Sequence, residues 1–439
     1  MYHEQDFLKN FRKYDVYTED KISSGIEQYR KGWGEITVVD SEGNAVENAK
    51  ITLTQKSHEF KYGCNLFMLD ELETEEKNRL YKEYVKGIAN MVTLPFYWNA
   101  TEPEEGKTRY AKDSEKMYRR PAIDLCMEFC EENGIEPREH ALAYPYFFPK
   151  WLQNAPEAEI KKHFVKRCKE ISERYGDKIN TIEVVNEMFW GTGRFFKWYK
   201  DPDFVTWCFK TVERYFPFNQ LGINECIQTW VDEKIKRAYF EMTRNAINSG
   251  ARIDAVGLHY HMFFKEDVAL KSTEKFYNPK NLYDTMDWYA QLGKPLQISE
   301  VTIPAYSENE EDEKLQAEIL ERVCKIWFSH PNVEQIIYWN LVDGYAHGAK
   351  PGDMSKGENV YFGGLLRFDM TPKPAYYTFK NLFEKEWHTE TEATTDAEGF
   401  ALFKGFYGEY DVTVEVGGKK VTETVNLSKK RYNVYKIEI

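Results

Sequence analysis

At 439 residues the chain has room for two or three domains, or for one large barrel with an appendage. Its 42% hydrophobic and 30% charged residues exclude a disordered chain, and no uncharged apolar run reaches the roughly 18 residues that cross a bilayer, so no membrane partner is expected. The 59 Lys and Arg are outnumbered by 72 Asp and Glu, for a formal charge of −13, and the basic residues are dispersed, which argues against a nucleic-acid partner.

The amino-terminal stretch, 1–33, is read as a helical segment. It opens on MYHEQDFLKNFRKYD, polar from the start and without the apolar region of a secretory signal. A cytoplasmic location is expected if Met1 is the native start, and a secreted one if a signal has been removed. Residues 34–54, GEITVVDSEGNAVENAKITLT, alternate as strands do around an Asp-Ser-Glu-Gly-Asn turn, so 34–57 is read as the first part of a β-sandwich.

From 58 to 387 short apolar runs alternate with longer amphipathic stretches. Eight strands are predicted, at 60–67, 88–94, 136–144, 179–187, 219–225, 253–261, 295–301 and 335–342, and helices include 72–87, 114–132, 156–175, 230–248, 308–329 and 374–384. Eight parallel strands with a helix behind each predict an α/β fold of the (β/α)8 TIM-barrel type, with its active site at the carboxyl ends of the strands. Residues 388–439 resume the strand alternation. A lone hairpin is marginally stable in water, so two strands from the first flank and about four from the last are expected to form one small β-sandwich into which the barrel is inserted.

Seven cysteines, of which only Cys126 and Cys130 are close, show neither a disulfide framework nor a zinc motif. The chain is 16% aromatic; flat rings suit the apolar faces of sugars, and they equally fill cores. Two segments carry the chemistry. IEVVNEMFWG (182–191) ends an apolar run in Asn186-Glu187, and LQISEVTIP (296–304) places Glu300 at the end of another, three strands later. Either glutamate alone could be a strand-end residue paired to a lysine. Two on one rim are what glycoside hydrolysis needs, one protonated to serve the leaving oxygen and one ionised to attack or stabilise the anomeric carbon.

The VVNE and ISE segments resemble the catalytic motifs of the retaining (β/α)8 glycosidases, and more narrowly of glycoside hydrolase family 10, the β-1,4-xylanases. FKYG (60–63), WNATEPEEG (98–106), His140 and Trp151 in EHALAYPYFFPKW, GLHYH (257–261) and Trp339 and Asp343 in YWNLVD add to the likeness over about residues 58–385. The resemblance implies an acid/base role for Glu187, a nucleophile in Glu300, a partner of the sugar 2-hydroxyl in Asn186, and a hydrogen bond from His261 to the nucleophile. It also implies a sugar contact from His140 and an aromatic wall in Trp339, and His259, Trp98, Tyr97 and Tyr144 join the candidate substrate-binding set. His259 and His261 share one face of a strand and could pair on a metal, but no third and fourth ligand is apparent, so neither metal nor cofactor is expected.

The chain departs from the family pattern where VTLPFYW (92–98) lacks the usual Glu-Asn and Lys before the tryptophan. His259 stands for a glutamine, Tyr144-Pro145 for Trp-His, and Asn340 for a glycine. Upstream binding is therefore expected to rely on stacking by Phe96, Tyr97 and Trp98. The function implied is retaining cleavage of a β-linked, xylan-type polysaccharide or oligosaccharide, with carboxyl groups roughly 5–5.5 Å apart. The alternatives are hydrolysis of a different β-glycan or β-glycoside, and glycan binding without turnover.

Overall fold

A computed structural model describes residues 4–189, 199 and 201–439. Two helices, Glu4–Lys13 and Asp15–Tyr29, open the chain, and strand β1 (Lys31–Val39) begins three residues inside the stretch read as helical. β2 (Lys50–Gln55) follows, and then the barrel strands β3 (Lys61–Asn65), β4 (Met91–Pro95), β5 (Glu136–His140) and β6 (Thr181–Asn186). The barrel continues with β7 (Gln220–Glu225), β8 (Ala255–His261), β9 (Leu296–Thr302) and β10 (Val333–Tyr338). These eight close in sequence order, with β10 pairing in parallel to both β9 and β3. The fold is a (β/α)8 barrel.

Helices follow each strand, including Phe204–Val212 and Pro279–Ala290, which no predicted helix covered. The stretch 114–122, read as helix, is mostly irregular, and the helix starts only at Ile123. The predicted strand 136–144 stops at His140. Beyond it Ala143 still bridges in parallel to Val185 of β6, and the helical turn Pro145–Phe147 then ends the extended chain, leaving Tyr144 on the cavity wall.

Five strands close the chain: β11 (Glu390–Thr394), β12 (Phe400–Phe406), β13 (Gly408–Val416), β14 (Lys419–Leu427) and β15 (Val434–Glu438). The sandwich has a three-stranded sheet in the order β12-β1-β15 and a four-stranded sheet in the order β11-β2-β13-β14. Each amino-terminal strand thus has carboxyl-terminal strands on both sides. β1 lies antiparallel to β12 from Lys31↔Phe406 to Thr37↔Phe400 and parallel to β15, while β2 is flanked by β11 and β13. The inner faces bury Ile36, Val38, Ile51, Leu53, Phe403, Val412, Val414 and Ile437 in a core separate from that of the barrel.

The sandwich packs on the barrel through Phe406 of β12, whose ring lies 6.1 Å from that of Phe328 and 6.1 Å from that of His58. Arg30, between helix and β1, donates to the carbonyls of Phe328, His330 and Val333 beside β10. No helix among the described residues is long and apolar enough to cross a membrane.

Because β1 and β2 have no sheet neighbours other than strands from 390–438, deleting residues 388–439 should leave two unpaired strands and an open apolar face. We expect a fall in melting temperature of at least roughly 5 °C, or insolubility. A truncated chain that melts with the full-length protein would contradict this account of the sandwich.

Candidate active site

The site is built at the carboxyl ends of the barrel strands, above a barrel interior that also buries polar side chains such as Arg138, Glu183 and Gln297. Glu300, on β9, is only 4% exposed and is held on several sides. His261 Nε2 lies 2.9 Å from its Oε2, Asn224 Nδ2 donates to Oε1 at 3.1 Å, and His140 Nδ1 stands 3.7 Å from Oε1. Burial alone would push the Glu300 pKa up. The rings of His259 and His140, then the His261 contact, outweigh it and hold this carboxyl well below the usual carboxylate range.

Glu187 is the first residue past β6 and has φ +52°, in the left-handed region that costs a residue with a side chain energy to occupy. Its N–H donates to Asn224 O at 3.1 Å and its carbonyl accepts from the Tyr199 hydroxyl at 3.0 Å, which fixes the turn. The Tyr144 hydroxyl donates to Glu187 Oε2. Burial, then the charge of Glu187, raise the Tyr144 pKa well above its ordinary value and keep it a donor.

His259 joins the two glutamates. Its Nδ1 is 3.2 Å from Glu187 Oε1 and its Nε2 3.0 Å from Glu300 Oε1. Neither nitrogen makes a well-directed hydrogen bond, so the attraction is that of charge at short range. Burial would lower the His259 pKa; Glu300 and then Glu187 more than offset it and raise it to about 10, which makes the ring an imidazolium at neutral pH.

Around this centre, His140 Nδ1 lies 2.8 Å from Glu183 Oε1 and its Nε2 3.0 Å from the Tyr97 hydroxyl. Glu183 is also paired with Arg138, buried in the barrel axis. Asn186 is 1% exposed and its Oδ1 has no partner. A cavity of about 560 Å³ is lined by Glu187, Glu300, Asn186, His140, His261, Tyr97, Tyr144, Trp339 and others. Ring planes of Trp339, His140 and His261 meet edge to face within 6 Å.

Three expected contacts are corrected. Trp98 is 4% exposed and faces away from the cavity: it packs on Phe148 and Phe164, and its Nε1 donates to Glu102 Oε2 at 3.0 Å. Phe96 is fully buried behind the wall, leaving Tyr97 as the cavity-facing ring of the three. His259 lies beneath the cavity between the carboxylates and does not line it. Trp190 and Gly191, which end the 182–191 segment, lie outside the described residues.

The sequence reading passed over Asn224, Glu225, Glu183, Arg119 and Arg120. Asn224-Glu225 closes β7 with the same Asn-Glu signature that marked β6. Asn224 also accepts from Ser299 Oγ at 2.5 Å, and its side chain crosses to β8 because position 257 is glycine: a Cβ there would sit 2.1 Å from Asn224 Oδ1. Glu225 accepts from the Phe189 N–H at 3.0 Å, and burial raises its pKa to about 8. Two clusters have ligand atoms close enough to share a cation, His259 with His261 and Glu300, and His140 with Glu183 and Glu300. In both, the nitrogens already face carboxylates as ion-pair or hydrogen-bond partners.

The family model for glycosyl hydrolase family 10 matches residues 65–382, most of the chain. The chain belongs to that family. Among curated proteins, this family-10 chain is 26% identical over 419 residues to the anti-sigma-I factor RsgI6 of Acetivibrio thermocellus, covering 93% of this chain and 48% of that protein. It is 25% identical over 342 residues to endo-1,4-beta-xylanase 1 of Arabidopsis thaliana, covering 77% of this chain and 32% of that one. The chain thus spans half or less of the length of these relatives. The structure of native xylanase 10B from Thermotoga maritima superimposes with a TM-score of 0.57 at 23% identity, over 75% of this chain and 96% of that one, and so supports the barrel fold.

Two outcomes follow from this geometry. A raised His259 pKa stabilises the folded protein fully below the ordinary value near 6.5, and the contribution is lost as pH climbs through about 10. The melting temperature of the wild type should fall across that window, and His259→Gln should flatten the fall; an unchanged slope would show that the ring carries no charge. Trp98→Ala should cost about 3–5 kcal/mol of stability, seen in denaturant titration, because its ring fills the packing between Phe148 and Phe164.

Proposed function

We propose that the protein is a retaining endo-β-1,4-xylanase that works by double displacement. The observation that carries this reading is the pair Glu187, just past β6, and Glu300, near the carboxyl end of β9, which open on one cavity and contact opposite nitrogens of a single imidazole. Glu300, kept ionised, attacks the anomeric carbon while Glu187 delivers its proton to the departing glycosidic oxygen. Water, deprotonated by Glu187, then cleaves the glycosyl–Glu300 ester and restores both groups. The orphaned Asn186 Oδ1 suits an acceptor for the sugar hydroxyl next to the reacting carbon, and an accepting group that tightens on the transition state favours turnover over ground-state binding. Trp339 and Tyr97 provide the walls against which a sugar face packs. The xylan assignment draws on relatives named as endo-1,4-beta-xylanases.

A second reading, a glycan-sensing domain of a longer regulatory protein, is favoured by one fact: the relative that aligns over 93% of this chain is named an anti-sigma factor. Turnover separates the two.

On neutral xylan, Glu187→Ala and Glu300→Ala should each lower kcat by about a thousandfold or more. NMR of the first-formed product should show the β anomer. Binding of xylan without any turnover by the wild type supports the sensing role, and an α product refutes double displacement.

A further inference from the structure

The cavity wall beyond Trp339 and Tyr97 carries two guanidinium groups that the proposed chemistry does not use. Arg119 and Arg120 lie in the irregular segment before the helix Ile123–Asn133, and both line the active-site cavity. Both also line an adjoining cavity of about 650 Å³ that includes Lys350 and Lys356. The two cavities share Phe147, His347 and Gly348, so the cleft continues past the catalytic centre between these residues. On a chain of net charge −13, this stretch sets four fixed cations against Asp353 and Glu358.

Neither arginine has a carboxylate partner among the described residues. Arg119, 5% exposed, donates from its two terminal nitrogens to Asn340 Oδ1 at 3.3 and 3.2 Å and to the Tyr345 carbonyl, while its Nε is buried without a partner. Its backbone is held at φ +62°. The side chain of Arg120, a residue 8% exposed, makes one hydrogen bond among the described residues, to Arg119 O at 2.8 Å, and lies over the Tyr97 ring at 4.2 Å and the Phe147 ring at 5.0 Å. Glu358, whose charge acts on Arg120, is engaged by Asn340 Nδ2 at 2.8 Å and by the His347 N–H. Burial lowers the Arg120 pKa to about 10, so it remains charged at neutral pH.

A buried charge without a counter-charge is unfavourable, and a planar fork of N–H donors matches a carboxylate in a way no neutral hydroxyl does. The site is continuous with the reacting centre: Arg120 stacks on Tyr97, whose hydroxyl is 3.0 Å from His140 Nε2, and His140 reaches Glu300 at 3.7 Å. We propose that Arg119 and Arg120 form an anion-reading subsite, and that the preferred substrate is a β-glycan bearing a hexuronic acid, whose carboxylate these two residues receive. The proposal rests on the glycosidase reading of the cleft and narrows it to acidic glycans. Asn340, which stands where the family pattern has glycine, is the residue that positions Arg119.

The test compares a xylo-oligosaccharide branched with glucuronic acid, its methyl ester, which has the same shape without the charge, and the unbranched oligosaccharide. A linear β-1,4-oligoglucuronate distinguishes an acid in the main chain from an acid on a branch. We expect the acid to have a KM about tenfold below that of its ester, with the ratio shrinking at high salt. Arg119→Gln and Arg120→Gln should bring the ratio towards one. Equal KM for acid and ester in the wild type, or a ratio that survives both substitutions, overturns the subsite. If a variant does not fold, the wild-type comparison still decides. If no substrate is cleaved, the xylanase reading fails, and calorimetric titration of the wild type with acid and ester judges the subsite separately.

Discussion

One imidazolium ring placed between two carboxylates is the interaction around which the upper barrel is organised. Two carboxyl groups turned towards one small cavity disfavour ionisation of either, and Glu300 stays ionised in its buried site because a cation stands beside it. His259 supplies that cation from β8, and its short contacts to both partners bind together β6, β8 and β9 at the mouth. The polar layer beneath, in which Arg138 pairs with Glu183 and Asn224 reaches both Glu183 and Glu300, extends the same compensation down the barrel axis. The neutral glutamine usual at this place in the family would leave the two carboxylates to be held apart by other means.

The barrel and the paired glutamates were legible in the sequence because both leave local traces. Period-two and continuous apolar runs mark strands whatever their partners, and a glutamate that interrupts such a run stands out. What stayed hidden depends on direction in space. Trp98 and Tyr97 are neighbours in the chain, yet the short helix Trp98–Thr101 turns one ring into the packing between helices and the other towards the cleft. No property of the residue types distinguishes them. Arg119 and Arg120 were equally invisible, since they sit in a charged, irregular stretch where arginine is ordinary, and only the fold brings Arg119 across to Asn340 and Arg120 over the Tyr97 ring.

Asn224-Glu225 is a different case. The trace was present, at the end of β7, in the same form as Asn186-Glu187. It was passed over because two carboxylates already satisfied the chemistry. The structure gives each pair a distinct environment: Glu187 opens on the cavity, whereas Glu225 is enclosed behind it and accepts the Phe189 amide.

The interleaving of the two chain ends also sets a timetable for synthesis. β1 emerges from the ribosome some 375 residues before the end of β12 with which it begins its pairing, an interval of roughly 20 to 75 s at ordinary elongation rates. Through that time β1 and β2 have unpaired edges while the whole barrel is made beside them. The glycines at 32 and 34 and the charges of Lys31, Glu35 and Lys50 make those edges poor templates for a neighbouring chain. The nascent protein would thus close its barrel first and button its sandwich last, so that completion of the second domain reports that the first has been made in full.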